Sequence, residues 1–415
     1  MRRRVTGGPL ALTLVVIALG LAACSSSPST TSPRSEGTTS TSGTAAPASS
    51  TTTTTLPAAA AGVEEPVSAI PWSQVGPGWQ VALWGPHAAV SPGSQAADWD
   101  QQPTTLFLVD PAGGRYNVTT LPAPSGYALS DWSGDGRRVL LLEPGGTGGS
   151  TFDEVDLSTG RVLHTVTESE EASARFTRPT GQALLVWTTG VDESPTTLVR
   201  TSWTGSVQLD YPGSYPGLGS LTSFFLSGLD GTQLVVGTSN GLALIDNDGT
   251  FVRAIGPQGR TCTPTRWWDA ADLVATCQPP AADASAESSL WLVPVSGQSA
   301  AQLTNPQAPD YGDLDGWQVG STTYVQASGA CGTEYLAQRN PDGTTSKVTV
   351  PGATDSVQVI GAHQSQLGLL AQMACGSGET LFWFDPVTSA ETPLLGPLVN
   401  GGGVLAALPY PGLQP

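Results

Sequence analysis

Three turn glycines, Gly136, Gly181 and Gly231, stand 45 and 50 residues apart, and each lies between the first two of four short apolar runs. The clearest set has runs at 127–132, 138–143, 151–157 and 161–167, with turns at Ser133-Gly134-Asp135-Gly136 and Ser158-Thr159-Gly160. Each run is rich in Val, Leu, Ile or Trp and too short for a helix, and no long stretch has a helical period. Four strands per 40–50 residues is the period of a propeller blade with its loops.

Other segments fit the same template. Unit one has 72–73, 79–84, 104–110 and 116–121; unit three has 174–177, 183–188, 196–202 and 206–209; unit four has 223–226, 233–237, 241–246 and 251–255. Units five, six and seven occupy 261–303, 311–350 and 355–395. One more apolar run, 404–408, follows, and it either closes the ring beside unit one or seven or begins a further unit. The expected fold is all-β: a propeller of about seven four-stranded blades, with six or eight left open, over residues 63–415. The 50 glycines and 34 prolines suit many tight turns.

The segment Asp131-Trp132-Ser133-Gly134-Asp135-Gly136-Arg137 resembles the W-S-P-D-G-[KR] signature of TolB-like propeller repeats, with Gly134 in place of the usual proline. Unit four keeps Ser227 and Asp230-Gly231. The resemblance implies a propeller used mainly as a binding platform. TolB-like propellers are often joined to a peptidase domain, for which no matching segment is found.

The N-terminus is a second, separate signal. Arg2, Arg3 and Arg4 precede a largely apolar stretch from Leu10 to Ala23, which is too short for a stable membrane span. It closes on Leu21-Ala22-Ala23-Cys24, which resembles the lipobox of bacterial lipoproteins. The resemblance implies a signal peptide at 1–23 and a lipidated Cys24, hence a palmitate-type anchor at the outer face of the cell membrane. Residues 24–62 are mostly Ser, Thr, Ala and Pro, with Thr51–Thr55 all threonine, and read as a disordered spacer. The overall composition suggests a high-GC, actinobacterium-like source.

Cysteine usage fits an oxidising compartment. Apart from Cys24 there are four: Cys262, Cys277, Cys331 and Cys375. Cys262 and Cys277 are equidistant from a turn near Asp269-Ala270, so they face each other across the first hairpin of unit five. Cys331 and Cys375 are 44 residues apart, one blade period, each in Ala-Cys-Gly, so they are expected to staple unit six to unit seven.

The formal charge is −18, and loss of Arg2, Arg3 and Arg4 with the signal peptide makes it −21. A chain this acidic is repelled by nucleic acid and by anionic membrane surfaces. Lipid is therefore its expected contact with the bilayer, and a protein or cell-envelope component its expected ligand. A monomer is expected.

Motifs for chemistry are weak. Gly237-Thr238-Ser239-Asn240-Gly241 matches G-x-S-x-G, but a strand follows it where a nucleophile elbow needs a helix, and the three histidines stand in no catalytic setting. Asp131, Ser133, Asp135 and Gly136 begin like a calcium loop, but Leu142 stands where the bidentate carboxylate belongs. No catalytic residue and no cofactor is assigned. One face carries a candidate ligand or calcium site: Asp98, Trp99 and Asp100 in a long insertion, with Glu168, Glu170, Glu171, Asp310, Asp313 and Asp315 in blade-connecting loops. Most tryptophans, Trp132, Trp267 and Trp317 among them, are expected to pack between blades. The expected function is a non-catalytic, membrane-anchored binding or scaffolding platform; the alternative is a metal-dependent lactonase, lyase or glycan-active enzyme using channel carboxylates.

Overall fold

The structure is a computed structural model that describes residues 58–86, 102–123, 126–144, 149–188, 196–279, 287–306, 312–329, 333–354, 356–372, 379–396 and 402–412. Cys24, the signal segment, Asp98, Trp99, Asp100, Asp310, Cys331 and Cys375 lie outside the described residues.

The described chain is a β-propeller. Four sheets have four strands each in simple up-and-down order. They are unit two (Ala128–Trp132, Arg138–Pro144, Ser150–Asp156, Arg161–Glu168), unit three (Ala172–Phe176, Leu184–Thr188, Thr197–Thr201, Val207–Asp210), unit six (Asp313–Val319, Thr322–Ser328, Glu334–Arg339, Thr345–Lys347) and unit seven (Val357–His363, Gln366–Gln372, Glu379–Asp385, Ala390–Leu395). In each, the first strand is innermost and later strands step outward.

Unit one departs from expectation. Residues 72–73 are not its first strand; they lie in a turn after the short helical turn Val67–Ala69. The innermost strand is Gly403–Pro409, from the other end of the chain, which pairs antiparallel with Gln80–Gly85. Thr104–Val109 and Arg115–Leu121 follow outward, and Glu64–Pro66 adds a parallel fifth strand. Ala59, in the stretch read as spacer, donates its N–H to the Tyr116 hydroxyl (2.8 Å), so ordered packing begins before residue 63.

The blade count also differs. Six sheets form where seven blades are expected: five are separate single units, and units four and five share one nine-stranded sheet. The junction is two single-residue bridges, Thr238 to Cys262 and Gly241 to Thr261. Gly237 makes this possible: a Cβ there would meet the Cys262 carbonyl oxygen at 2.6 Å. Without that side chain, the two hairpins come close enough to share hydrogen bonds.

The core is divided among the interfaces between neighbouring units. Val81, Leu83 and Tyr116 of unit one pack with Trp132, Val139 and Val155 of unit two. At the closure, Phe107 and Val404 of unit one pack with Leu381, Trp383 and Leu394 of unit seven. The ring thus depends on the last strand, which contributes both a ladder and half of an interface. Cys262 and Cys277 are register partners, both fully buried, and form a disulfide with Cα atoms 4.2 Å apart, the close spacing of a non-hydrogen-bonded antiparallel pair. Among the described residues, no helix is long and apolar enough to cross a membrane.

Two outcomes follow. A chain ending at residue 402 exposes the inner edge of unit one and the Phe107–Leu381 interface; its unfolding should lose cooperativity, with a stability loss of several kcal/mol, on the order of the buried area and ladder bonds removed. Wild-type urea denaturation of that truncation would contradict the closure. Replacing Cys262 and Cys277 together with Ala should cost about 3 kcal/mol, the loop-closure value for the 15-residue separation, measured as the change in unfolding free energy under oxidising conditions.

Candidate functional site: the arginine-lined end of the central channel

The innermost strand of a blade has one edge with no strand partner, and its backbone groups there need other partners. Neighbouring units supply them through side chains. Phe176 N–H donates to Asp131 Oδ2 (2.9 Å), and Ser130 Oγ donates to the Ala174 carbonyl (2.5 Å), linking unit two to unit three. Arg175 Nη1 donates to the Phe225 carbonyl (3.2 Å) and Trp267 Nε1 to the Ser227 carbonyl (2.8 Å). Arg266 Nη1 donates to the Gly316 carbonyl (3.2 Å), while Gln326 bridges to Val357 O (2.9 Å) and Val359 N–H (2.6 Å).

Several of these side chains sit at β-bulges. Register shifts fall between Leu129 and Asp131, Pro264 and Arg266, Asp313 and Asp315, and Val359 and Gly361. A bulge re-aims the side chains around it and bends the strand. Here, at matching positions of units two, five and six, Asp131, Arg266 and Asp315 all reach the channel.

The result is a cavity of about 230 Å³ at the C-terminal ends of the inner strands. Its charged walls are Asp131, Arg175, Arg178, Arg266 and Asp315; its aromatic walls are Trp132, Trp267, Trp317 and Tyr410. Trp132 and Tyr410 meet edge to face, with ring centroids 5.4 Å apart. Arg266 lies over the Trp317 ring at 5.0 Å, and Arg175 lies within 6 Å of the Trp187 and Phe225 ring centres.

The charges interlock. Arg178 Nη2 pairs with Asp131 Oδ1 at 2.8 Å. Asp315 Oδ1 accepts from Thr265 Oγ1 (2.9 Å) and from the Gly316 N–H (2.8 Å). Burial pushes the Asp315 carboxyl upward, opposed by the nearby Arg266 charge and these two hydrogen bonds. Burial likewise lowers the pKa of Arg266, with Asp315 opposing. Guanidinium remains charged through such shifts.

Local turn chemistry places Arg178. It precedes Pro179 through a cis peptide bond, in the first turn of unit three. That turn is wedged between its neighbours: a Cβ on Gly134 would collide with the Pro179 carbonyl, and one on Gly231 with the Arg178 carbonyl. Gly231 also has φ +73°, which favours glycine. The turn in unit two is tied internally by Ser133 Oγ to Asp135 Oδ1 (2.6 Å) and Arg138 N–H to Ser133 Oγ (2.9 Å). Arg138 then spans to buried Glu154 (2.8 Å), to Asp135 and to the Thr180 carbonyl.

The cavity opens at the end of the inner strands opposite to Glu168, Glu170, Glu171 and Asp313 of the expected acidic site. Glu168, Glu170 and Glu171 lie at the start of the inner strand of unit three, and Asp313 is buried at the start of that of unit six. Among the described residues of this set, Asp315 alone lines the cavity. Among the described residues, no three His, Cys, Asp or Glu side chains group to hold a metal ion. Ser239 sits in the hairpin turn between Gln233–Thr238 and Gly241–Asp246, and its hydroxyl lies 3.5 Å from the Leu218 carbonyl. The arginines escaped sequence reading because nothing local marks them; only the turn motif ending in Arg137 and Arg138 gave a hint of where the inner strands end.

No family model matches the chain, and no curated protein matches it. Among solved structures it is similar to the β-propeller domain of the Trilobed protease from Pyrococcus furiosus (13% identity, TM-score 0.47, covering 71% of this chain and 90% of that chain). It is also similar to TolB from Acinetobacter baumannii (14% identity, TM-score 0.44, 83% of this chain and 71% of that one). A third likeness is to Pyrococcus horikoshii acylaminoacyl peptidase (11% identity, TM-score 0.48), where 83% of this chain spans about half, 53%, of the other.

Asp131 tests the interlock. Asp131→Ala leaves Arg178 without its carboxylate and the Phe176 N–H without its acceptor, and should cost roughly 3–5 kcal/mol in chemical denaturation. Asp131→Asn keeps an acceptor oxygen and should lose less than the alanine variant. Equal losses would show that the cross-unit hydrogen bond contributes nothing.

Proposed function

We propose that this chain is a lipid-anchored extracytoplasmic protein whose propeller is a non-catalytic binding platform for a protein or cell-envelope component. In this reading Cys24 carries the lipid, the Ser, Thr, Ala and Pro-rich stretch of 24–62 acts as the spacer, and the channel end with Arg175, Arg178 and Arg266 is the binding face. The observation that carries the reading is how the channel charges are used. Asp131 and Asp315 are held by cross-unit hydrogen bonds and face three guanidinium groups, an arrangement poor for acid–base or cation chemistry and suited to recognition. A rigid ring with a concave, aromatic-walled centre is the usual setting for such a site.

The test is chemical crosslinking on intact cells carrying the tagged protein, followed by mass spectrometry, with Cys24→Ala as control. One specific partner crosslinked near the Arg178 and Tyr410 loops, with the alanine protein released into the medium, is the expected result. Crosslinks confined to the opposite face, or a Cys24→Ala protein that stays in the membrane fraction, would contradict the reading.

A further inference from the structure

The channel end holds more positive charge than its own carboxylates neutralise. Arg175, Arg178 and Arg266 face Asp131 and Asp315 in a chain whose formal charge is −18. Both oxygens of Asp131 are occupied, one by Arg178 and one by the Phe176 N–H. Arg175 has no ion pair among the described residues, and its hydrogen bond goes to a neutral carbonyl. Burial lowers its pKa, Asp131 opposes this, and the charge of Arg178 adds to the lowering, which places the two guanidinium groups within reach of each other's field. An anion beside them relieves both costs.

Two residues that line the cavity each carry a buried N–H donor with no acceptor among the described residues: Arg178 Nη1 and Trp132 Nε1. Trp132 is 1% exposed, so bulk water does not serve its indole N–H. Orphaned buried donors are rare in native proteins and call for a partner. These two come from adjacent units, Trp132 from unit two and Arg178 from the first turn of unit three.

We propose that this end of the channel binds a carboxylate-bearing organic ligand, its carboxylate held by Arg175, Arg178 and the Trp132 N–H. The proposal rests on reading the channel end as the binding face. A carboxylate fits because it is planar, accepts bidentate bonds from guanidinium, and with a single charge matches the one net positive charge of three arginines and two aspartates. The partly buried Trp267 indole receives the organic body, which a hydrated inorganic anion would leave unused. The cavity of about 230 Å³ is below the usual range for drug-sized ligands, so the occupant is a small organic acid or a single acidic side chain or chain terminus of a partner.

The experiment is calorimetric titration of the full chain in detergent with phenylacetate, phenylacetamide and inorganic phosphate, repeated with Arg175→Met. Arg175 is chosen because its loss strands no carboxylate; the thermal transition of the variant is measured alongside, and Trp132→Phe serves as a second probe. Phenylacetate should bind at least tenfold more tightly than its amide, phosphate should not compete, and Arg175→Met should lose at least tenfold in affinity. Crosslinking on cells with Arg175→Met then separates the sources: loss of the partner assigns the carboxylate to that partner, and retention assigns it to a free acid. Equal binding of acid and amide with unchanged crosslinking, or full competition by phosphate, overturns the proposal. If the wild-type protein crosslinks to nothing yet prefers the acid, the platform reading fails and the carboxylate site stands.

Discussion

Everything in this ring turns on the inner edge of its blades. A propeller removes the outer-edge problem only partly and creates another: each innermost strand has one row of N–H and C=O groups facing the channel. In this protein, Asp131, Arg175, Arg266, Trp267 and Gln326 each reach from one unit to the inner backbone of a neighbouring unit. A buried backbone group left without a partner costs on the order of 1–3 kcal/mol, so these few side chains decide whether the ring closes without penalty. The inter-unit cores then add the nonspecific part of the stability, with Val404 and Ala407 of the last strand completing the final interface.

The same side chains give the channel its chemistry. Residues recruited to satisfy backbone carbonyls must be donors, which explains why an acidic chain lines its centre with arginine. The bulges at Ser130, Thr265 and Leu314 turn the following Asp131, Arg266 and Asp315 toward the cavity. Structural need and recognition capacity therefore have one origin. Two donors on lining residues, Arg178 Nη1 and Trp132 Nε1, are left without an acceptor among the described residues.

Strand periodicity, turn glycines and the Cys262–Cys277 pairing were legible in the sequence because each depends on local spacing. Ring closure through 404–408 was legible only as one of several possibilities, since the choice of partner strand is a long-range matter settled by packing on Phe107 and Leu381. The fusion of units four and five was not legible, although Gly237 was visible within an apparent G-x-S-x-G motif. Its lack of a side chain serves close approach to Cys262. Gly134 is a similar case: its departure from the usual proline of the repeat signature matches a contact with the Pro179 carbonyl, which lies in another unit. The arginine-lined cavity was not legible from charge, because net charge is a property of the whole chain, whereas the cavity lining depends on which few side chains the bulges turn inward.

The most direct measurement is native-state hydrogen exchange at the Phe176 and Val359 amides. Both lie on inner edges with no strand beyond them, and their acceptors are the side chains of Asp131 and Gln326. If side chains from neighbouring units close the ring, both amides are protected to the level of ladder amides in their own strands, and Asp131→Ala selectively exposes Phe176. Exchange at the rate of an unprotected amide in the wild-type protein would contradict that account.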